Sequence, residues 1–96
     1  MDRFADLQMF VRVAESGSIS AAAAKLEVAK SAVSRRLADL ESRLGVQLLH
    51  RTTRRLSLTD SGSAFLERAQ RILADLDEAE AAVSQAHGAL KTLEFN

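Results

Sequence analysis

The sequence contains no cysteine, proline, tryptophan or tyrosine, and its only aromatic residues are four phenylalanines. Without cysteine the chain can form no disulfide, which fits a reducing compartment. No apolar run approaches the roughly 18 residues of a membrane-spanning helix. The first residues mix polar and apolar side chains and include an early acid, which argues against a secretory signal peptide. We therefore expect one small cytoplasmic domain, or a domain with an appendage, with a core of Leu, Val, Ile and Ala.

The formal net charge is zero, but the charges are divided unevenly along the chain. Residues 25–59 carry eight basic and three acidic side chains, a net +5, whereas residues 60–96 carry three basic and seven acidic ones, a net −4. Such asymmetry is typical of a polyanion-binding part joined to a part with another task. The alternative is that the basic residues are ordinary solvated surface, and charge alone does not decide between the two.

Hydrophobic periodicity predicts three helices in the first half of the chain. The first ends near Gly17, and Ser18 or Ser20 caps a short second helix of alanines. A third helix runs over about 31–44, after a tight connection at 27–29. Two helices joined by so short a turn form a helix-turn-helix, here at about 18–37. The core that these two helices share is predicted to contain Ala23, Leu26, Val28, Val33 and Leu37, with Leu40 and Leu44 continuing the core face of the third helix.

In a helix-turn-helix, the second helix enters the DNA major groove with its N-terminal residues at the base edges. Serine is short enough to bond a base or phosphate without holding the helix away, and arginine can bond guanine with two hydrogen bonds. An ordinary surface helix of a bundle is the alternative, but the tight turn and the basic sector favour DNA. The predicted base-reading residues are Lys30, Ser31, Ser34 and Arg35.

A β-hairpin with a basic tip is predicted at about 47–58, where apolar and polar residues alternate on either side of the sequence TTRR. This hairpin is a candidate wing. Arg54 and Arg55 at its tip could reach a narrow minor groove, which attracts arginine. The predicted phosphate contacts are Arg51 and Thr52 in the hairpin, with Ser18 and Ser20 at the start of the second helix.

These segments together resemble the winged helix-turn-helix domain of LysR-type transcriptional regulators. The resemblance spans about residues 1–62 and rests on AESGSISAAA, SAVSRRLADLE, LGVQLLHRT and LSLTDSG in this order and spacing. It implies a mostly α fold: three helices and a two-stranded β wing in residues 1–59, then a long linker helix in residues 60–96. Family members commonly carry Gln and Pro where this chain has Lys30 and Ser31, which leaves the base preference of these positions open.

The last segment predicts one long helix, capped by Thr59 with Asp60 in its first turn and uninterrupted as far as Gly88. A helix of about 30 residues spans roughly 45 Å, more than the preceding domain can cover, so its apolar stripe requires a partner. In the resembled family that partner is the same helix of a second chain; the alternative is that the stripe folds back on its own domain. The predicted dimer interface contains Leu66, Ala69, Leu73, Leu76 and Val83, with Met9 and Val13 from the first helix.

The resemblance implies a sequence-specific bacterial transcription factor that binds an inverted-repeat operator as a dimer or higher oligomer in the nucleoid. Its expected partners are double-stranded DNA, a second copy (with a tetramer as an option) and RNA polymerase, but no membrane. We expect no enzyme activity and no cofactor in this chain; a small-molecule effector would bind a C-terminal domain that lies outside it. His50 and His87 are far apart and lack neighbours at metal-ligand spacing, so no metal is expected. A helical dimerisation module without DNA activity is the alternative.

Overall fold

The computed structural model describes residues 2–51 and 56–94, with side chains described for residues 2–51 and 56–84. The elements confirm the predicted mostly α architecture with a two-stranded antiparallel wing and a long final helix. In chain order they are α1 (Arg3–Ser16), α2 (Ile19–Leu26), α3 (Lys30–Leu44), β1 (Leu49–Arg51), β2 (Leu56–Leu58) and α4 (Asp60–Glu94).

The helix ends follow from local sequence signals. Gly17 and Gly45 end α1 and α3 in the left-handed region, with φ of 69° and 74°; this region carries no Cβ penalty for glycine. The Ser18 hydroxyl accepts the N–H of Ala21 at 3.2 Å and caps α2. The hydroxyl of Thr59 caps α4 in the same way. These predicted ends are confirmed, although α3 begins one residue earlier than expected.

The core lies where α1, α2, α3 and β1 meet. Ala23 is buried at the contact between α2 and α3, as predicted, and Val33 and Leu37 are buried beside it. Leu26 and Val28 are 36% and 45% exposed, so the prediction that they belong to this core is wrong. They occupy the last position of α2 and the turn after it, beyond the face that packs on α3. Leu44, at the last position of α3, is 38% exposed for the same reason.

A junction at Leu48 fixes the start of α4 against the wing. The N–H of Thr59 donates to the Leu48 carbonyl at 3.0 Å, and the Thr59 hydroxyl donates to the Gln47 carbonyl at 2.6 Å. The same hydroxyl accepts the N–H of Gly62 at 2.9 Å. A Cβ at Gly62 would lie 1.9 Å from the Leu48 carbonyl oxygen, so only glycine allows this close approach.

The helix α4 has two different parts. Its first turns pack on the domain: the Phe65 ring lies 5.2 Å from that of Phe10, and Ala69 is fully buried. Farther along, Ile72, Leu76 and Val83 are 51%, 38% and 69% exposed. The apolar stripe therefore folds back on its own domain near its start and is open to solvent beyond. Within the described residues, no helix combines the length and apolar character of a membrane span.

Candidate nucleic-acid interface

The turn between α2 and α3 places the start of α3 on the surface. The N–H of Val28 donates to the Ala23 carbonyl at 3.0 Å, which closes the turn. Glu27 reverses the chain with φ of 59°, in the left-handed region that residues other than glycine, asparagine and aspartate rarely adopt. Ala29 is extended and is the N-cap residue before α3. The turn is thus short and closed, and it holds the two helices in a fixed relation.

The four predicted base-reading residues lie together at this exposed start. Lys30, Ser31, Ser34 and Arg35 are all exposed, while Val33 on the opposite face is buried. No side chain caps α3, and its first turn contains no acid. The positive end of the helix dipole is therefore open to an anion such as phosphate, although the N–H of Ala32 already donates to the Ala29 carbonyl at 3.0 Å.

The basic side chains of this sector fall into two groups. Arg36 and Arg43 contact Asp6 at 2.8 and 3.8 Å, and Arg51 contacts Glu41 at 2.9 Å. Among the described residues, by contrast, no carboxylate lies within 4 Å of Lys30 or Arg35. Among the described residues, the basic side chains of this sector without a carboxylate partner are Lys25, Lys30 and Arg35, and the last two lie at the start of α3.

The predicted phosphate contacts are placed less uniformly. Ser18 is partly buried and uses its hydroxyl oxygen as the α2 cap, which leaves its proton free to donate, and Ser20 is exposed. Arg51 is 41% exposed but already bonded to Glu41. Thr52 and the wing-tip residues Arg54 and Arg55 lie outside the described residues. None of these contacts is tested by the geometry, and they stay predictions.

Two buried carboxylates hold arginine side chains of this surface in place, and neither was predicted from the sequence. Asp6 is 5% exposed and accepts two hydrogen bonds from Arg36, at 2.8 and 3.2 Å. Glu41 is 9% exposed and binds the N–H groups of Leu48 and Leu49. One signal was available, since each acid lies three or four residues from core positions of its own helix. An acid at core spacing needs a partner if it is to be buried.

The structure corrects the predicted dimer interface. Met9 and Val13 are 2% and 0% exposed and belong to the core of their own domain, so the prediction that they meet a second chain is wrong. The reason is that α1 is central and packs against α2, α3 and α4. The prediction for Ala69 is also wrong, because this residue is covered by its own domain. Leu66 is partly buried and packs against the same core.

The remaining predicted interface residues are divided between two faces of α4. Leu73 is half-buried and lines a groove between α1 and α4, together with Val11 and Gln70. Leu76 and Val83 are exposed, and Ile72, which was not predicted to lie in the interface, is exposed beside them. These three residues form the open seam of α4. Toward the domain, the seam continues into an apolar groove of about 530 Å³ lined by Leu44, Val46, Phe65 and Ile72.

Comparison with known proteins places this geometry in a family. Residues 4–63 match the model of the bacterial regulatory helix-turn-helix proteins of the lysR family. An HTH-type transcriptional regulator of Xanthomonas campestris is 52% identical over 80 residues, which are 83% of this chain and 23% of that protein. The chain thus spans about a quarter of the length of this relative.

Two solved structures are similar over nearly their whole chains. The BenM_DBD/catB site 1 DNA complex superposes with a TM-score of 0.82 at 34% identity, covering 88% of this chain and 93% of that one. The CbnR_DBD–DNA complex superposes with a TM-score of 0.78 at 41% identity, covering 91% and 99%. On the family match and these structures, the chain belongs to the lysR family of bacterial regulatory helix-turn-helix proteins.

Proposed function

We propose that the chain is the operator-binding and dimerising part of a LysR-type transcription regulator. The observation that carries this proposal is the start of α3, where four exposed polar and cationic side chains lie next to an uncapped helix end. Similarity to two domains that were crystallised with DNA supports it. In the proposed complex α3 lies in the major groove, where Lys30, Ser31, Ser34 and Arg35 contact bases.

The other contacts of the proposal hold the domain on the backbone. Phosphates are bound by Ser18, Ser20, Arg51 and Thr52, and the wing tip with Arg54 and Arg55 enters the minor groove. In this proposal residues 1–59 form the DNA-binding domain, and residues 60–96 mediate dimerisation. The regulator acts without catalysis, in the bacterial cytoplasm at the nucleoid.

The proposed dimer forms through the open seam of α4. Ile72, Leu76 and Val83 are large apolar side chains in solvent, and their burial by a second copy is worth about 1.5–3 kcal/mol for each side chain that becomes fully buried. Two copies with antiparallel α4 helices would present two α3 helices to an inverted repeat. Tetramers, contact with RNA polymerase and binding of a small-molecule effector belong to the whole regulator, of which this chain covers only a part.

A salt titration tests the DNA-binding proposal. If each half-site neutralises about four to six phosphates, the slope of log K against log salt for the dimer should be about −7 to −11. The probe is a duplex selected from a randomised pool with this chain. Arg51→Gln, which removes the cation proposed to bind a phosphate, should make the slope shallower, whereas Arg71→Gln, which removes an exposed cation on α4, should leave it unchanged. A wild-type slope flatter than about −3 would contradict the proposed contacts.

A dimerisation module without DNA activity is the second candidate. The pairing of Arg36, Arg43 and Arg51 with buried carboxylates favours it, because these cations then serve the fold. The same titration separates the two functions. A chain that dimerises in sedimentation experiments but shows no salt-dependent affinity for any duplex would be such a module.

A further inference from the structure

The carboxylate of Glu41 connects α3 to the wing. One oxygen, Oε2, accepts the N–H of Leu48 at 2.7 Å and the N–H of Leu49 at 3.1 Å. The other oxygen, Oε1, accepts a hydrogen bond from Nη2 of Arg51 at 2.9 Å. Hydrogen bonds to an ionised group in a buried place are stronger than neutral ones and more specific in geometry. A single side chain of α3 thus contacts three of the four residues at 48–51.

The strand segment that Glu41 holds is fixed from its other side as well. The Leu48 carbonyl accepts the N–H of Thr59 and lies directly against Gly62 of α4. The side chains of Leu48 and Leu49 are buried. The N–H side of this segment is therefore bound to α3 and its carbonyl side to the start of α4. Without the carboxylate, the N–H groups of Leu48 and Leu49 would lose the oxygen that accepts their hydrogen bonds.

The contact with Glu41 orients the Arg51 guanidinium and uses only some of its hydrogen-bond donors. Guanidinium has five N–H donors, and the contact with Glu41 uses one of its nitrogens. The side chain is 41% exposed at the base of the wing, so the pairing with Glu41 leaves part of it accessible to a ligand. Side chains of arginine have considerable rotamer entropy, and an ion pair that restricts it lowers the entropy lost on binding a phosphate.

We propose that Glu41 is the positioning residue of the wing: its carboxylate sets the angle between α3 and β1 and orients Arg51 toward a DNA phosphate. The inference rests on the proposed DNA-binding function. It assigns an acid, which repels DNA at long range, a favourable role in binding. Removal of the Glu41 charge should therefore weaken DNA binding, whereas removal of an ordinary surface acid should strengthen it or leave it unchanged. This difference makes the inference testable.

The test compares Glu41→Gln with Glu67→Gln, which removes an exposed acid on α4. Both changes reduce the repulsion of DNA by the same formal charge, so Glu67→Gln should leave binding unchanged or slightly stronger. In Glu41→Gln the amide NH₂ faces Arg51 and cannot accept its hydrogen bond. Affinity for a random-sequence duplex should fall about threefold to tenfold, and the salt slope should become shallower by about 0.9 for each half-site.

Amide hydrogen exchange shows whether Glu41 acts through the wing. In Glu41→Gln the N–H groups of Leu48 and Leu49 should exchange at least tenfold faster, while those of Val33 and Leu37 in α3 keep their rates. Base preference in a selection from random duplexes should not change. A folded Glu41→Gln protein with wild-type affinity and slope, or with altered base preference and an unaltered slope, would overturn the inference.

A second variant keeps the test decisive if Glu41→Gln does not fold. Arg51→Gln leaves the carboxylate bound to both N–H groups, so the wing amides should stay protected while the salt slope becomes shallower. An unchanged slope in Arg51→Gln would refute the delivery of Arg51 to phosphate. The wild-type chain separates this failure from that of the proposed function: if it shows no salt-dependent duplex binding at all, the DNA-binding proposal itself has failed.

Discussion

Two adjacent arginines on α3 show how position decides the role of identical side chains. Arg36 donates from Nε and Nη2 to a single oxygen of Asp6, which is buried beneath it. Arg35 is exposed on the next face of the helix, beside Ser31 and Ser34. Neighbouring residues on a helix are about 100° apart, so one arginine turns toward α1 and the other toward solvent. The first serves the fold and the second is available to DNA.

We predict different effects for the alanine variants of these two residues. Arg35→Ala should cost roughly 1–3 kcal/mol of binding and relax the preference at one base pair per half-site, with little change in stability. Arg36→Ala should lower the free energy of unfolding by roughly 1–2 kcal/mol, because the Asp6 side chain loses both hydrogen bonds that it accepts from Arg36. Selection from randomised duplexes and urea unfolding measure the two effects. Exchanged outcomes would contradict the assigned roles.

The buried acids mark the limit of residue-level prediction. Apolar periodicity located Val33, Leu37 and Leu40 correctly, because burial of such side chains needs no particular partner. Burial of Asp6 and Glu41 depends on hydrogen bonds from cations and N–H groups 7 to 30 residues away along the chain. No local pattern brings these groups together. The same contacts pair three of the eight cations of the +5 sector with buried carboxylates of the fold.

The turn of the helix-turn-helix contains a strained residue. Glu27 is the only non-glycine residue with positive φ in the described part of the chain. The left-handed conformation costs roughly 1–2 kcal/mol for a residue with a Cβ. Its backbone N–H also donates to the carbonyl of Ala24 at 3.3 Å, so the strain accompanies the closing of the turn. The element is held by its neighbours rather than by the preference of this residue.

We predict that Glu27→Gly stabilises the domain. Glycine removes the left-handed penalty, while the greater freedom of the unfolded chain offsets about 0.4–1 kcal/mol of the gain. The expected net increase in the free energy of unfolding is about 0.5–1 kcal/mol, measured by urea unfolding. Glu27→Ala is the matched control, since it removes the same charge but keeps a Cβ. If alanine stabilised as much as glycine, charge and not backbone strain would be the cause.

Element boundaries were predictable where a single residue sets them, as at Gly17, Ser18, Gly45 and Thr59. The partner that each apolar helix face packs against was less predictable. The periodicity of α1 shows that it has an apolar side, but not that three helices surround it, and for that reason the sequence wrongly predicts Met9 and Val13 in a dimer interface. Tertiary packing decides which apolar positions are left over. In α4 the leftover positions are Ile72, Leu76 and Val83.

At the scale of the whole molecule, α4 has two apolar faces whose roles can be compared: the open seam and the face with Leu73 that lies against α1. We predict that Ile72→Ala with Leu76→Ala shifts the chain toward monomer, because the symmetric dimer loses four apolar side chains at about 2 kcal/mol each if well buried. The dissociation constant should rise at least about a hundredfold by sedimentation equilibrium. Binding to an operator with two half-sites should fall far more than binding to one half-site, because the second contact is no longer intramolecular.

Leu73→Ala is the control for this prediction. Leu73 lines the groove between α1 and α4 of its own chain, so its truncation should lower monomer stability and change self-association little. A wild-type chain that remains monomeric at tens of micromolar would show that the open seam has another purpose. So would a double variant that dimerises as tightly as the wild type.

The glycine contact at the start of α4 has a mechanical consequence. Because Gly62 lies against the Leu48 carbonyl, with no side chain between them, the base of a 35-residue helix about 52 Å long bears directly on the wing strand. A sideways displacement of about 5 Å at the far end tilts such a rigid rod by about 6°. The first turns of this helix are packed on the domain through Phe65 and Ala69, and its base touches the same backbone carbonyl that accepts the N–H of Thr59. A force applied at the distal end of α4 would therefore reach the wing, and with it the surface proposed to bind DNA, through backbone atoms that cannot yield as a rotamer would.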